Sequence, residues 1–192
     1  MRKPVLLGSL GVLAAAATGF LALTRDSDAQ QPATPPGVLA ASDTADLPGP
    51  RQPIFFRHDI HAGQLKMACQ YCHATVAVSS EPGIPSMQTC MGCHAVIAGR
   101  DSTHRVEIQK VKDAWEAGTP IEWVRIHSVA RHVRFPHAVH INALGPSACA
   151  TCHGNVARMP QVYKVNNVNN MGWCINCHLE RNVTRDCTAC HY

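Results

Sequence analysis

Residues 135–153 read FPHAVHINALGPSACATCH and combine two patterns of metal-binding chemistry. One is a histidine pair, His137 and His140, spaced i, i+3. The other is the run Cys149-Ala-Thr-Cys152-His153. C-x-x-C-H is the attachment signature of c-type haem, in which both thiols bond covalently to the porphyrin and the following histidine ligates the iron. The stretch therefore predicts one attached haem, with a histidine pair nearby.

The same signature occurs five times and uses all ten cysteines of the chain. We number the motifs in chain order as motif 1 (Cys69–His73), motif 2 (Cys90–His94), motif 3 (Cys149–His153), motif 4 (Cys174–His178) and motif 5 (Cys187–His191). The sequence thus predicts five haems of the c type. The expected thioether residues are Cys69, Cys72, Cys90, Cys93, Cys149, Cys152, Cys174, Cys177, Cys187 and Cys190. The expected proximal iron ligands are His73, His94, His153, His178 and His191.

Other cysteine chemistries fit this pattern less well. Structural zinc sites combine two C-x-x-C elements to complete their ligand set, and five elements leave one over. A disulfide framework accounts for an even number of cysteines but not for a histidine after every second cysteine. We therefore interpret the chain as a pentahaem c-type cytochrome.

A haem iron that passes electrons without binding a substrate needs a second axial ligand. The two pairs His58/His61 and His137/His140 are the strongest candidates, because side chains at i and i+3 share one face of a helical turn. For the fifth iron the sequence leaves two alternatives, His127 as the first choice and Met171 as the other, since methionine also ligates haem in cytochromes c. The candidate distal ligands are therefore His58, His61, His137, His140 and, as alternatives for the fifth iron, His127 and Met171.

An internal repeat organises the chain from Ile54 onward. The first copy reads FRHDIHAGQLKMACQYCH and the second FPHAVHINALGPSACATCH, each with Phe-x-His-x-x-His seven or eight residues before a motif. Another motif follows in each copy, preceded at three residues by a methionine, Met87 or Met171, of which Met87 is the weaker ligand candidate. The second copy adds motif 5. We predict a two-haem module over residues 54–100 and a three-haem module over residues 121–192.

The segment between the modules, residues 101–120, has the pattern of a connecting helix. Asp101 or Ser102 can cap its start, and Gly118-Thr119-Pro120 can end it. Its apolar stripe is expected to pack on the core, a haem face or a partner; it consists of His104, Ile108, Val111 and Trp115. We expect His104 and His132 to be structural or surface histidines.

The first 53 residues are not expected to join the core. The 19 residues from Val5 to Leu23 are apolar and follow Arg2 and Lys3. As a helix they span about 28 Å, close to the thickness of the bilayer hydrocarbon. The run exceeds the usual apolar core of a signal peptide, so we favour an uncleaved anchor over residues 1–25 to a signal peptide cleaved near Ala29. The following residues 26–53 are rich in proline and predict a semi-rigid linker.

Composition limits both the fold and the partners. Aromatic residues make up only 5% of the chain, so we expect the haems themselves to supply most of the hydrophobic interior, as metals do in domains too small to fold alone. From Arg51 onward there are 14 Lys and Arg against nine Asp and Glu. Each haem brings two propionates, which outweigh this excess and find partners in arginine. A nucleic-acid partner is therefore not expected.

In the order and spacing of its segments the chain resembles the pentahaem cytochrome c subunit of alternative complex III, a bacterial quinol oxidoreductase. The resemblance covers about residues 54–191 and is carried by FRHDIHAG, CQYCH, GIPSMQTCMGCH, WVRIH, FPHAVH, CATCHG and MGWCINCH. It departs at SVARHVR, between His127 and Phe135, where a more acidic and aromatic segment is expected.

The resemblance implies a complex that takes electrons from quinol and passes them through c-type haems to a monohaem cytochrome c or a terminal oxidase. The implied partners are an iron–sulfur subunit, polytopic quinol-binding membrane subunits and the monohaem cytochrome c. A quinone-reductase complex of sulfate reducers uses a similar multihaem subunit with the opposite electron flow. That alternative stays open, as does a free-standing multihaem oxyanion reductase, which needs an iron with an open position.

The expected fold is mostly irregular with short helices. It consists of class III-like haem modules of a multihaem cytochrome c behind one N-terminal transmembrane helix. By the positive-inside rule the haem body lies on the periplasmic, extracytoplasmic side of the bacterial inner membrane. The expected function is an electron relay, with no catalytic residues and no enzymatic activity of the chain by itself.

Overall fold

A computed structural model describes residues 46–192, which lie within one compact unit that spans Val38–Tyr192. The expected anchor over residues 1–25, and the expected linker as far as residue 45, lie outside the described residues. Within residues 46–192, no helix has both the length and the apolar character needed to cross a bilayer.

Short helices separated by irregular segments make up the described chain, as the sequence predicts. They are a π-helix over Asp59–Gln64, α1 over Cys69–Cys72, a 3₁₀ turn over Ala74–Ala77, α2 over Met87–His94, α3 over Ser102–Glu116, α4 over His137–Leu144, a 3₁₀ turn over Gly145–Ser147, α5 over Ala148–His153, a 3₁₀ turn over Val156–Arg158, α6 over Met171–Glu180 and α7 over Cys187–Cys190. No strand occurs in this part of the chain. The backbones of Val133 and His191 form an isolated antiparallel β-bridge.

Both cysteines of every attachment motif lie on a short helix, because α1, α2, α5, α6 and α7 carry motifs 1 to 5. On a helix, residues at i and i+3 face the same way, so both thiols of one motif can reach one porphyrin edge. Two of these helices begin at polar caps. The Asn170 side chain accepts a hydrogen bond from Gly172 N at 2.8 Å, and that of Asp186 accepts one from Thr188 N at 3.0 Å. These caps fix where the helices of motifs 4 and 5 start.

The predicted connecting helix is present as α3. Its N-cap is Asp101, whose side chain accepts a hydrogen bond from His104 N at 2.9 Å. Val111, on the predicted stripe, is buried, and α3 packs against α2. Trp115 on the same stripe stays 42% exposed. The helix therefore buries only part of its apolar face.

The described residues bury very few apolar side chains. The buried hydrophobic residues are Ile54, Val111, Ala148 and Met159, and no side chain of the described chain is completely enclosed. Large apolar side chains are instead more than half exposed, among them Val78, Ile84, Val96, Val139, Met171 and Leu179. Ordinary domains offset their conformational entropy by burying such groups. This surface fits the expectation that attached haems provide the hydrophobic interior.

The two copies of the repeat contact each other reciprocally. Helix α4 of the second copy lies against the 3₁₀ turn Ala74–Ala77, which directly follows motif 1. The π-helix of the first copy lies against the 3₁₀ turn Val156–Arg158, which closely follows motif 3. A hydrogen bond from Asp59 N to the Met159 carbonyl, 3.2 Å long, belongs to this second contact. Each histidine turn thus packs behind the first motif of the other copy.

Candidate haem-attachment sites

The sequence repeat is reproduced in three dimensions around the two Phe-x-His-x-x-His segments. In the first copy the Phe56 ring lies edge-on to the His58 ring, with centroids 4.8 Å apart, and stacks on His61 at 4.4 Å. The second copy repeats this arrangement at 4.8 Å and 4.3 Å with Phe135, His137 and His140. A phenylalanine therefore supports both histidines of each pair in the same way.

The second histidine of each pair faces the proximal histidine of the second motif in its copy. The ring centroids of His61 and His94 are 6.1 Å apart, and those of His140 and His178 are 6.2 Å apart. Two imidazoles that bind one metal ion from opposite sides, each at a metal–nitrogen distance of about 2 Å, have centroids about 6 Å apart. Both pairs fit the two axial positions of one iron, at motifs 2 and 4.

Backbone carbonyls fix which ring nitrogen of these histidines is free. Nδ1 of His61 and Nδ1 of His140 lie 2.8 Å and 3.0 Å from the carbonyl four residues earlier. Proximal rings make the same contact with a nearby carbonyl at 2.5–3.1 Å, namely those of His73, His94 and His178. Since a carbonyl only accepts, each ring carries its proton on Nδ1 and offers the Nε2 lone pair. Metal-binding histidines are commonly oriented in this way.

His58 stands beside motif 1. The pKa of His58 is lowered to about 4, first by burial and then by the nearby His73 and His61 rings. A depressed pKa keeps the imidazole neutral, which is the form that binds metal. Since His73 is the expected proximal histidine of motif 1, His58 lies near that motif. Its buried Nδ1 has no hydrogen-bond partner among the described residues.

Motif 3 has two histidines beside its proximal ligand. The pKa of His153 is lowered to about 4, first by burial and then by the nearby His127 and His137 rings. The His127 ring lies edge-on to His153 with centroids 4.5 Å apart, less than the separation of about 6 Å across one metal ion. Its buried Nε2 has no partner within residues 46–192. His137 is the counterpart of His58 in the repeat, and it stands near motif 3 as His58 stands near motif 1.

His132 packs against motif 5, a contact that the sequence does not indicate. Its ring stacks on His191 with centroids 5.3 Å apart, and Tyr192 N donates to the His132 carbonyl at 3.2 Å. The bridge between Val133 and His191 joins the same two segments. Ligands on opposite sides of one iron have Cα atoms roughly 10 Å or more apart, which paired backbones do not allow. His132 is a packing partner of His191 and not its opposite ligand.

Met171 is the other candidate ligand for the fifth iron. It is the first residue of α6 and is 60% exposed. Cys174 follows one turn later on the same face of the helix. Burial raises the pKa of the Cys174 thiol, and Cys190 of motif 5 is close enough to raise it further. Met87, the counterpart in the first copy, begins α2 in the same way.

The cysteines of the five motifs are free thiols, and some lie close to a cysteine of another motif. Burial raises the pKa of the Cys149 thiol in motif 3, and the nearby Cys69 of motif 1 also raises it. Burial raises the pKa of the Cys90 thiol in motif 2, and the nearby Cys72 of motif 1 also raises it. Within residues 46–192, no group of three or more His, Cys, Asp or Glu side chains is arranged as a metal-binding cluster. The donor set of free thiols and paired, neutral imidazoles fits haem c.

Comparison with known proteins agrees with this chemistry. Residues 37–122 match the model of the class III cytochrome C family, and residues 133–192 match that of cytochrome c7 and related cytochrome c. The two matched segments contain all five motifs. Both halves of the described chain are thus similar to multihaem cytochromes c.

One similar curated protein is the menaquinone reductase, multiheme cytochrome c subunit, of Nitratidesulfovibrio vulgaris. It is 30% identical over 102 residues, which are 53% of this chain and 45% of that protein. The chain therefore spans less than half the length of this relative.

Proposed function

We propose that this chain, both halves of which resemble multihaem cytochromes c, is the pentahaem electron-transfer subunit of a membrane quinol oxidoreductase of the alternative complex III type. The observation that carries the proposal is the pairing of His61 with His94 and of His140 with His178, at 6.1 and 6.2 Å. Two copies of one repeat offer the same closed, two-histidine coordination. An iron held in this way has no position left for a substrate, so its role is to pass electrons.

In this proposal five haems are attached through the ten motif cysteines. Bound haem supplies one-electron chemistry, and the chain tunes its potential through the axial ligand and burial. The proximal ligands are the motif histidines. The proposed distal ligands are His58 for motif 1, His61 for motif 2, His137 for motif 3, His140 for motif 4 and Met171 for motif 5. His127 is the alternative at motif 3, because its unpartnered Nε2 is buried beside His153.

The chain makes and breaks no bonds in this scheme. Electrons come from polytopic quinol-binding membrane subunits through an iron–sulfur subunit and leave to a monohaem cytochrome c or a terminal oxidase. The apolar N-terminal run anchors the chain in the bacterial inner membrane, and the haem body stands on the periplasmic side. These partners and this location rest on the resemblance described from the sequence.

A second candidate is favoured by the similarity to the menaquinone reductase subunit. In it the chain is the multihaem subunit of a quinone-reductase complex, and electrons flow from the haems to quinone. Both candidates use the same haem relay, and they differ in direction and in the external redox partner.

The test is to isolate the complex from membranes in mild detergent. The proposed function expects an iron–sulfur protein and polytopic subunits to co-purify, low-spin signals for every haem, and rapid haem reduction by added quinol. Haems that are reduced only by a c-type donor, followed by reduction of added quinone, would favour the second candidate. Isolation of the chain alone, with an iron that binds carbon monoxide and turns over nitrite, would contradict both.

A further inference from the structure

One helical turn of each copy serves two neighbouring motifs. In the first copy His58 lies beside His73 of motif 1, and His61 lies 6.1 Å from His94 of motif 2. Because the two histidines are three residues apart, their separation fixes motifs 1 and 2 as direct neighbours. In the second copy the turn with His137 and His140 brings motifs 3 and 4 together in the same way.

The copies meet at the first motif of each, because α4 packs against the turn Ala74–Ala77 behind motif 1 and the π-helix packs against the turn Val156–Arg158 behind motif 3. Cys69 of motif 1 is also close enough to Cys149 of motif 3 to raise the pKa of its thiol. Around this contact, Nδ1 of His137 lies 2.9 Å from the Ser80 carbonyl, and Asp59 N donates to the Met159 carbonyl at 3.2 Å. Ser80 follows motif 1 and Met159 follows motif 3, so each copy reaches across to the segment behind the other's first motif.

Motif 5 is the next neighbour of motif 4, which has motif 3 as its other neighbour. Cys190 is close enough to Cys174, the first cysteine of motif 4, to raise the pKa of its thiol. The backbone of motif 5 is held by Arg134 N, which donates to the Cys190 carbonyl at 2.7 Å, and by the bridge of Val133 with His191. The exposed Tyr192 follows directly.

We propose that the five attachment sites are ordered in space as motifs 2, 1, 3, 4 and 5, so that electrons cross between the copies at motifs 1 and 3. Motif 2 and motif 5 are then the two ends at which redox partners exchange electrons with the chain. The proposed order differs from the sequence order in one respect. Motif 1, and not motif 2, is the motif of the first copy that lies next to motif 3. This inference rests on the proposed function, since it needs all five haems.

The test compares two variants of the full chain that each lack one haem, C69A/C72A for motif 1 and C90A/C93A for motif 2. The charge of a haem changes on reduction and acts most strongly on its nearest neighbours. Loss of the motif 1 haem should therefore shift the midpoint potentials of two remaining haems, those at motifs 2 and 3. Loss of the motif 2 haem should shift one. The readout is a potentiometric titration followed by visible and EPR spectra, after mass spectrometry has verified four attached haems.

An order that follows the sequence reverses this result, with one shifted potential for C69A/C72A and two for C90A/C93A, and would overturn the proposal.

If either variant fails to mature, H58M and H61M replace them, because both keep all cysteines. A methionine ligand raises the potential of its own haem, so that haem is reduced first and lowers the potentials of its neighbours. We expect two lowered potentials for H58M and one for H61M. Fewer than five haems on the unmodified chain overturns both this order and the proposed function; five haems with the reversed pattern overturn only the order.

Discussion

The two copies of the repeat reach the same ring geometry from different backbones. The first copy places its histidines around a π-helix, Asp59–Gln64, closed by a hydrogen bond from Leu65 N to the Ile60 carbonyl at 2.9 Å. The second uses a regular helix, α4. Yet the phenylalanine–histidine and histidine–histidine separations agree within about 0.1 Å. The i, i+3 spacing and the Nδ1 bond to the carbonyl four residues earlier therefore set the site, and the helix type does not.

The copies differ in how tightly their histidine turns are packed. In the first copy a Cβ on Gly63 would lie 2.3 Å from the Ala157 carbonyl oxygen, so the turn Val156–Arg158 presses directly on the π-helix. The equivalent position in the second copy is Asn142, which is exposed. The histidine turn of the first copy is thus packed more closely at this position than that of the second copy. Four predictions test this comparison.

The largest effect is expected from removing the second histidine of a pair. His61→Ala and His140→Ala should each convert one of the five haems to a high-spin form that binds carbon monoxide, because each deletes an axial ligand. The effects should be alike in the two copies. EPR and carbon monoxide difference spectra measure this. His104→Ala, which loses only a contact with Asp101, is the matched control. Unchanged low-spin spectra in both histidine variants would refute the ligand assignment.

The two copies should respond differently when their methionine is replaced. Met171→Leu should open one iron, at motif 5, whereas Met87→Leu should open none, because the first copy has two attachment motifs and a histidine candidate for each. The same spectra report the result, and a changed potential for one haem should accompany the first variant. Identical spectra for both variants would show that Met171 is only a packing residue and that the iron of motif 5 has another ligand.

The tighter packing of the first copy is tested by Gly63→Ala and Asn142→Ala. The added methyl group of the first variant meets a backbone carbonyl, so we expect a loss of about 2 kcal/mol in unfolding free energy. The second variant shortens an exposed side chain and should change stability by about 0.5 kcal/mol or less. Denaturant titrations of the haem-loaded proteins give both values. Equal losses would mean that the two turns are enclosed to the same degree.

The smallest effect is expected at His132. His132→Ala removes the stacked ring from His191 and should cost about 1 kcal/mol of stability, while every haem stays low-spin. His132→Phe keeps an aromatic ring in place and should recover most of that loss. A new high-spin iron in His132→Ala would contradict the packing role and make His132 an axial ligand.

Local sequence patterns carried most of the information about the site. The C-x-x-C-H spacing and the i, i+3 histidine pairs predict which residues belong together within a turn, and α3 follows from its cap and apolar stripe. They do not predict which motif a given histidine faces. The choice between His127 and His137 at motif 3 arises because segments distant in sequence converge there.

Long-range packing explains what the sequence did not indicate. His132 reaches His191 because the chain pairs Val133 with a residue 58 positions later. The contact between Cys69 and Cys149 depends in the same way on how the copies meet. Neither contact has a local signature, because each joins segments that are far apart in the sequence. The missing protein core was predictable from the low aromatic content, since five porphyrins were expected to replace it.

The most direct test of the account is the intact mass of the purified chain. The account predicts a mass that exceeds the polypeptide by five haems, with the excess retained after denaturation because the haems are bonded through thioethers. A mass that corresponds to four or fewer haems, or to zinc lost on denaturation, would contradict it.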